Sequence, residues 1–141
     1  MGYIVLSITH LVFIISICSL LFATTSFAAD KGEVFFENLH DGQSVKSPIH
    51  IKFGIKGMHV VPAGTDEPMT GHHHLLVDTN LPNMSEPIPA DDNHIHFGKG
   101  QLETTIELAP GKHTLQLLLG NWSHIPHKPP VKSKKITITV E

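Results

Sequence analysis

Apolar and polar side chains alternate one by one along several short stretches of this chain. Ile49, Ile51, Phe53 and Ile55 alternate with His50, Lys52, Gly54 and Lys56. Successive side chains of a strand point to opposite faces, so this pattern is a half-buried strand with one wet face. Leu115, Leu117 and Leu119 against Thr114, Gln116 and Leu118 repeat it, as do Ile136, Ile138 and Val140 against Thr137 and Thr139. Residues 34–37, 73–78, 94–97 and 103–108 read as further strands. Turn residues separate them: Asp41-Gly42, Gly57, Pro62 to Gly64, Pro82-Asn83, Gly98 to Gly100, Pro110-Gly111 and Pro129-Pro130. No stretch carries a helical stripe. The expectation is an all-β fold, a small immunoglobulin-like β-sandwich of about seven strands. Met58 to Gly71 and Asn80 to Asn93 are long, Pro-bearing loops, and loops of that length often carry function.

The first residues have a different character. Residues 3–27 contain no Asp, Glu, Lys or Arg, Leu11 to Phe22 is strongly apolar, and Ser26-Phe27-Ala28 offers small residues for cleavage after Ala28. Residues 1–28 are read as a signal peptide, although no Lys or Arg precedes the apolar run. A retained membrane anchor is the alternative. Residues 29–141 then form a single domain in the periplasm or outside the cell, large enough to bury ~60–70% of its unfolded surface. Cys18, the only cysteine, leaves with the leader. A cysteine nucleophile, a disulfide and a Cys-ligated metal are excluded from the mature chain. With 10 Lys, no Arg and 13 acidic residues the net charge is −3. That balance argues against nucleic acid, which needs clustered positive charge.

Histidine is the unusual residue: 12 of 141. Three groups stand out, His72-His73-His74, His94-Ile95-His96 and His124-Ile125-Pro126-His127. Two residues apart on a strand lie on one face about 6.5–7 Å apart. The pairs His72/His74 and His94/His96, with His124 and His127 from a Pro-rich turn, are therefore candidate ligands for one transition metal. Neutral imidazole suits copper or zinc. Met58, Met69 and Met84 in or near the long loops, with His59, tilt the expectation towards copper, because thioethers select Cu(I); gap filling is the commoner role of Met. Asp78, Asp91, Asp92 and Glu103 are candidate partners that orient imidazoles.

Plainer roles compete. Taken singly, each histidine is read as structural. If Leu75 and Val77 face the core, His73 joins them and His72 and His74 form an exposed polar strand start. His113 beside a Leu-rich strand is read as structural, Trp122 as packing under the Pro126 to Pro130 loop, and Lys132, Lys134 and Lys135 as protection of a sheet edge. The alternative function is a structural or interaction module of the cell envelope whose histidines form hydrogen-bond networks. A pH sensor would follow from composition alone. No His-Glu-x-x-His, Gly-x-Ser-x-Gly or P-loop pattern occurs, so no enzymatic activity is expected.

The runs Gly71-His72-His73-His74-Leu75-Leu76-Val77-Asp78, Pro87-Ile88-Pro89-Ala90, His96-Phe97-Gly98-Lys99-Gly100-Gln101, Pro110-Gly111-Lys112-His113-Thr114-Leu115-Gln116-Leu117 and His124-Ile125-Pro126-His127 resemble the exported bacterial family catalogued as domain of unknown function 4399. The resemblance covers about residues 33–140. It implies an exported, small β-rich domain and carries over no catalytic residues.

Overall fold

The computed structural model describes Gly2 and residues 32–141. The signal-peptide reading of residues 1–28, Cys18 included, lies outside the described residues. Nine strands follow in order: β1 (Glu33–Phe36), β2 (Ser44–Val45), β3 (Ile49–Lys56), β4 (His59–Val60), β5 (Thr70–Val77), β6 (His94–His96), β7 (Glu103–Ile106), β8 (Gly111–Gly120) and β9 (Ile136–Val140). The seven stretches expected from alternation are β1, β3 and β5 to β9. The two additions, β2 and β4, are two-residue pairings that run parallel to β9 and β5. Two residues are too few to show alternation, so sequence periodicity could not reveal them.

The strands form two facing sheets. The smaller has the order β1-β3-β7, and the larger β2-β9-β8-β5-β4, with β6 also paired to β5. The main core lies between them. β3 contributes Ile49, Ile51 and Phe53; the larger sheet contributes Leu75, Val77, Leu115, Leu117, Leu119, Ile136, Ile138 and Val140. These are the apolar members of the alternating runs, as period two requires.

The second face of the larger sheet does not meet water. Leu76, on β5, and Leu118, on β8, point away from the main core, yet they are 1% and 0% exposed. They form a second cluster with Ile88, against which Met84 packs. Ile88 belongs to the loop between β5 and β6, and its amide donates to the His124 carbonyl in the loop after β8. Those two loops thus form a third layer over the sheet. Every residue of β5 is buried as a result. The expectation that His72 and His74 start the strand in solvent is corrected here: they do face away from Leu75 and Val77, but into the loop layer.

Hydrogen bonds finish the ends of the strands. Asp78 has a φ of 54°. It accepts from the Thr114 amide at 2.7 Å and pairs with His113 Nδ1 at 2.6 Å, while His113 Nε2 lies 2.9 Å from the Ala109 carbonyl. Two acceptors on two ring nitrogens favour the doubly protonated imidazolium, and the Asp78 contact is the larger cause of the raised His113 pKa. Trp122, expected beneath the Pro-rich loop, is instead 48% exposed. Lys135 donates to the Thr79 carbonyl and to Asn80 Oδ1, both at 3.0 Å.

If loops seal the outer face, Leu118→Ala should destabilise the protein about as much as Leu117→Ala, by ~2–5 kcal/mol each in urea unfolding. A solvent-facing leucine at position 118 would change stability by only ~0.5 kcal/mol.

Candidate metal centre

Period two divides the His72-His73-His74 run. His73 turns into the main core, with its ring centroid 5.1 Å from that of Phe53. His72 and His74 turn into the loop layer. β6 pairs antiparallel to β5 with His96 opposite His74, so His96 joins them on the same face. Centroid separations are 4.9 Å for His72–His74, 5.0 Å for His72–His96 and 5.0 Å for His74–His96. One ligand nitrogen from each of these three histidines lies within 4.8 Å of the others. The three can hold a metal ion.

His124 supplies a fourth ring, 4.9 Å from His72, 4.7 Å from His96 and 6.0 Å from His74. With metal–nitrogen bonds of about 2.0–2.1 Å, four imidazoles around a tetrahedral ion have centroids ~5 Å apart. Five of the six separations are close to that value. His124 is not in the set of converging nitrogens, so it stands beside a three-nitrogen site as a fourth ring.

The surroundings hold these rings in place. Gly120 lies opposite His72 in the β5–β8 register. A Cβ on Gly120 would lie 2.8 Å from His74 Cε1, and one on Gly98 would lie 2.4 Å from His96 Cε1. Both glycines leave room for an imidazole to lie against the backbone. His124 adopts a φ of 67°, a left-handed conformation uncommon outside glycine. Asn121 stabilises it: its Oδ1 accepts from the amides of Ser123 and Ile125, both at 3.0 Å, and from the Ser123 hydroxyl at 3.1 Å. The His124 amide donates to the Asn121 carbonyl at 2.9 Å. Sequence reading missed Gly98, Gly120 and Asn121. The only trace was the glycine just after each histidine-bearing or Leu-rich strand, which also reads as an ordinary turn.

The electrostatics favour neutral rings. Burial pushes His72 down to about 4, and the neighbouring His124, His96, His73 and His127 push the same way. Burial, then His72, His96 and His124, bring His74 to about 3. His96 is also lowered, by burial first and then by His124. Near neutral pH these imidazoles therefore present lone pairs rather than charges. Both ring nitrogens of His72 and Nδ1 of His74 are buried without a hydrogen-bond partner. An orphaned buried polar atom costs about 1–3 kcal/mol. A metal ion would satisfy one nitrogen on each ring.

The remaining candidates are placed differently. His94 shares the face of His96, but its Nδ1 is bound to Asp91 Oδ1 at 2.8 Å; that contact is also the main cause of the lowered Asp91 pKa. His127 is half-buried, with its Nε2 unpartnered, and burial lowers its pKa against a backbone hydrogen bond with Thr70. Neither belongs to the converging set. Of the carboxylates expected to orient ligands, Asp78 serves His113, Asp91 serves His94, and Glu103 lies 3.3 Å from His50 Nε2. Met58 is in the main core, Met84 packs on the second cluster and Met69 is 49% exposed.

A protein-family model described as "Domain of unknown function (DUF4399)" matches residues 51–141. That span runs from within β3 to the end of the chain and includes every ring of the cluster. No curated protein and no solved structure matches the chain.

The depressed pKa values make a pH prediction. An unfolded His72 or His74 takes up a proton near 6.5, the folded ring only near 4 or 3. Between those limits the unfolded chain binds more protons. Metal-free protein should therefore lose stability as pH falls from about 6.5 to about 4, on the order of a few kcal/mol. Urea unfolding across that range should show this, and the double variant His72→Gln/His74→Gln should show a flatter dependence.

Proposed function

The chain belongs to the family described as a domain of unknown function (DUF4399), and we propose that it is an exported module that binds a transition metal through His72, His74 and His96, with His124 as the fourth ring. One observation carries the reading: His72 and His74 of β5 and His96 of β6 bring one nitrogen each within 4.8 Å of the others, two of them from buried rings. A chain that needed these rings only for packing would gain by replacing them with apolar side chains, since buried polar atoms without partners are destabilising. The hydrogen-bonded framework considered as the alternative is a role that fits His113 and His94, each tied to a carboxylate. The buried rings His72 and His74 lack such a partner on the nitrogens described above.

The donor set is all nitrogen and neutral. It suits Cu(II) or Zn(II), and divalent affinity for such sites rises towards copper. Of the methionines weighed for Cu(I), Met58 packs in the main core and Met69 is largely exposed. The reading is of a binding module, not an enzyme: the sequence carries none of the catalytic motifs sought, and Asp78, Asp91 and Glu103 each pair with a histidine outside the converging set. The apolar run and small residues before Ala29, read as a leader at residues 1–28, support a periplasmic or secreted location. There the metal ion is the proposed ligand, and neither nucleic acid nor a membrane is required.

Isothermal titration of tag-free protein should give micromolar or tighter binding of Cu(II), and weaker binding of Zn(II). His72→Ala and His74→Ala should abolish tight binding. Gly98→Ala, which displaces the His96 ring without removing a ligand, should weaken it by about 10–100-fold, the range for groups that orient ligands. His113→Gln should leave affinity unchanged. Tight binding that survives replacement of His72, His74 and His96 together would overturn the proposal.

A further inference from the structure

We propose that the cleft bordered by Ala90–His96 is the port through which a metal cation enters and leaves the three-histidine site; this rests on the metal-binding reading above. The three ligands differ sharply in access. His72 and His74 are 0% and 1% exposed, whereas His96 is exposed. An ion in water can therefore reach the converging nitrogens by way of His96. His96 lines an open cleft of about 430 Å³ together with Ala90, Asp91, Asp92, His94 and Ile95.

The cleft wall has the chemistry of a cation port. Asp91 and Asp92 are both exposed. Asp91 is engaged with His94 Nδ1 and with the Asn93 amide. Asp92 takes part in none of the described side-chain hydrogen bonds or ion pairs, so its carboxylate remains available to a cation. His94, in the same wall, is about nine-tenths buried, and its Nε2 has no partner. Asp91 on Nδ1 places the ring proton there, which leaves the lone pair on Nε2. The other approach to the cluster, past His124, is different. Residues 121–128 contain no acidic residue and end on Lys128. The 90–96 side thus carries two carboxylates in the wall of the cleft itself.

Entry then follows a gradient of burial. The two carboxylates concentrate the hydrated ion in the cleft. His96 displaces the first water. The His74 and His72 rings, each 5.0 Å from His96, come next. Release runs in reverse, with His96 the last contact.

Trp122, the only tryptophan, lies two residues from His124 and provides a reporter for a quenching ion. Wild-type protein mixed with Cu(II) in a stopped-flow instrument should quench its fluorescence. Asp92→Lys should lower the association rate by about threefold or more at 10 mM ionic strength, and the difference should vanish in 1 M salt, where screening acts within ~3 Å. Glu107→Lys, the same charge reversal beyond β7 on the opposite sheet, should leave the rate unchanged. Equal rates for wild type and Asp92→Lys at low salt would overturn the port, as would equal slowing by Glu107→Lys. In either case wild-type titration would still show tight binding and the site itself would stand. Absence of Cu(II) binding by wild-type protein would overturn both the site and its port.

Discussion

The structure depends on the burial of β5. The strand has β8 along one edge, β4 and β6 along the other, the main core on one face and a loop layer on the other. Every residue on it is buried. Such a strand is ordinarily filled with aliphatic residues. Here its first half carries three consecutive histidines, and alternation sends one into the core and two into the loop layer. Whatever those rings do, they do it out of bulk solvent.

Burial decides their chemistry. An imidazole in contact with water titrates near neutrality, but desolvation and mutual repulsion keep His72 and His74 neutral well into the acid range. Histidines at the strand ends show the opposite design. His113 is held between Asp78 and the Ala109 carbonyl, and its pKa rises. The same residue type is thus a hydrogen-bonded strut in one place and a buried neutral ring in another. A carboxylate stands beside His113, whereas no side chain bonds either ring nitrogen of His72.

The loop layer completes what the sheet begins. Ile88 and Met84 close the outer face over Leu76 and Leu118. The Ile88 amide ties that loop to the His124 carbonyl, and Asn121 holds His124 in its left-handed conformation. These are short local contacts with a long-range result, since they bring a ring from the end of β8 against rings from β5 and β6. The glycines at positions 98 and 120 serve the same end by removing side chains where His96 and His74 lie.

Alternation in the sequence was sufficient to locate β1, β3 and β5 to β9, to assign which leucines face the main core, and to split His73 from His72 and His74. A period of two follows from local backbone geometry, so it is legible without knowing what lies nearby. The two-residue strands, the burial of the outer face, and the packing of the His96 and His124 rings against the pair were settled only by the tertiary structure. Each depends on contacts between segments from 11 to 95 residues apart, where register and loop path determine which side chains meet. Spacing along the chain nominated six histidines; the antiparallel pairing of His74 with His96, and the turn of the backbone at His124, selected among them.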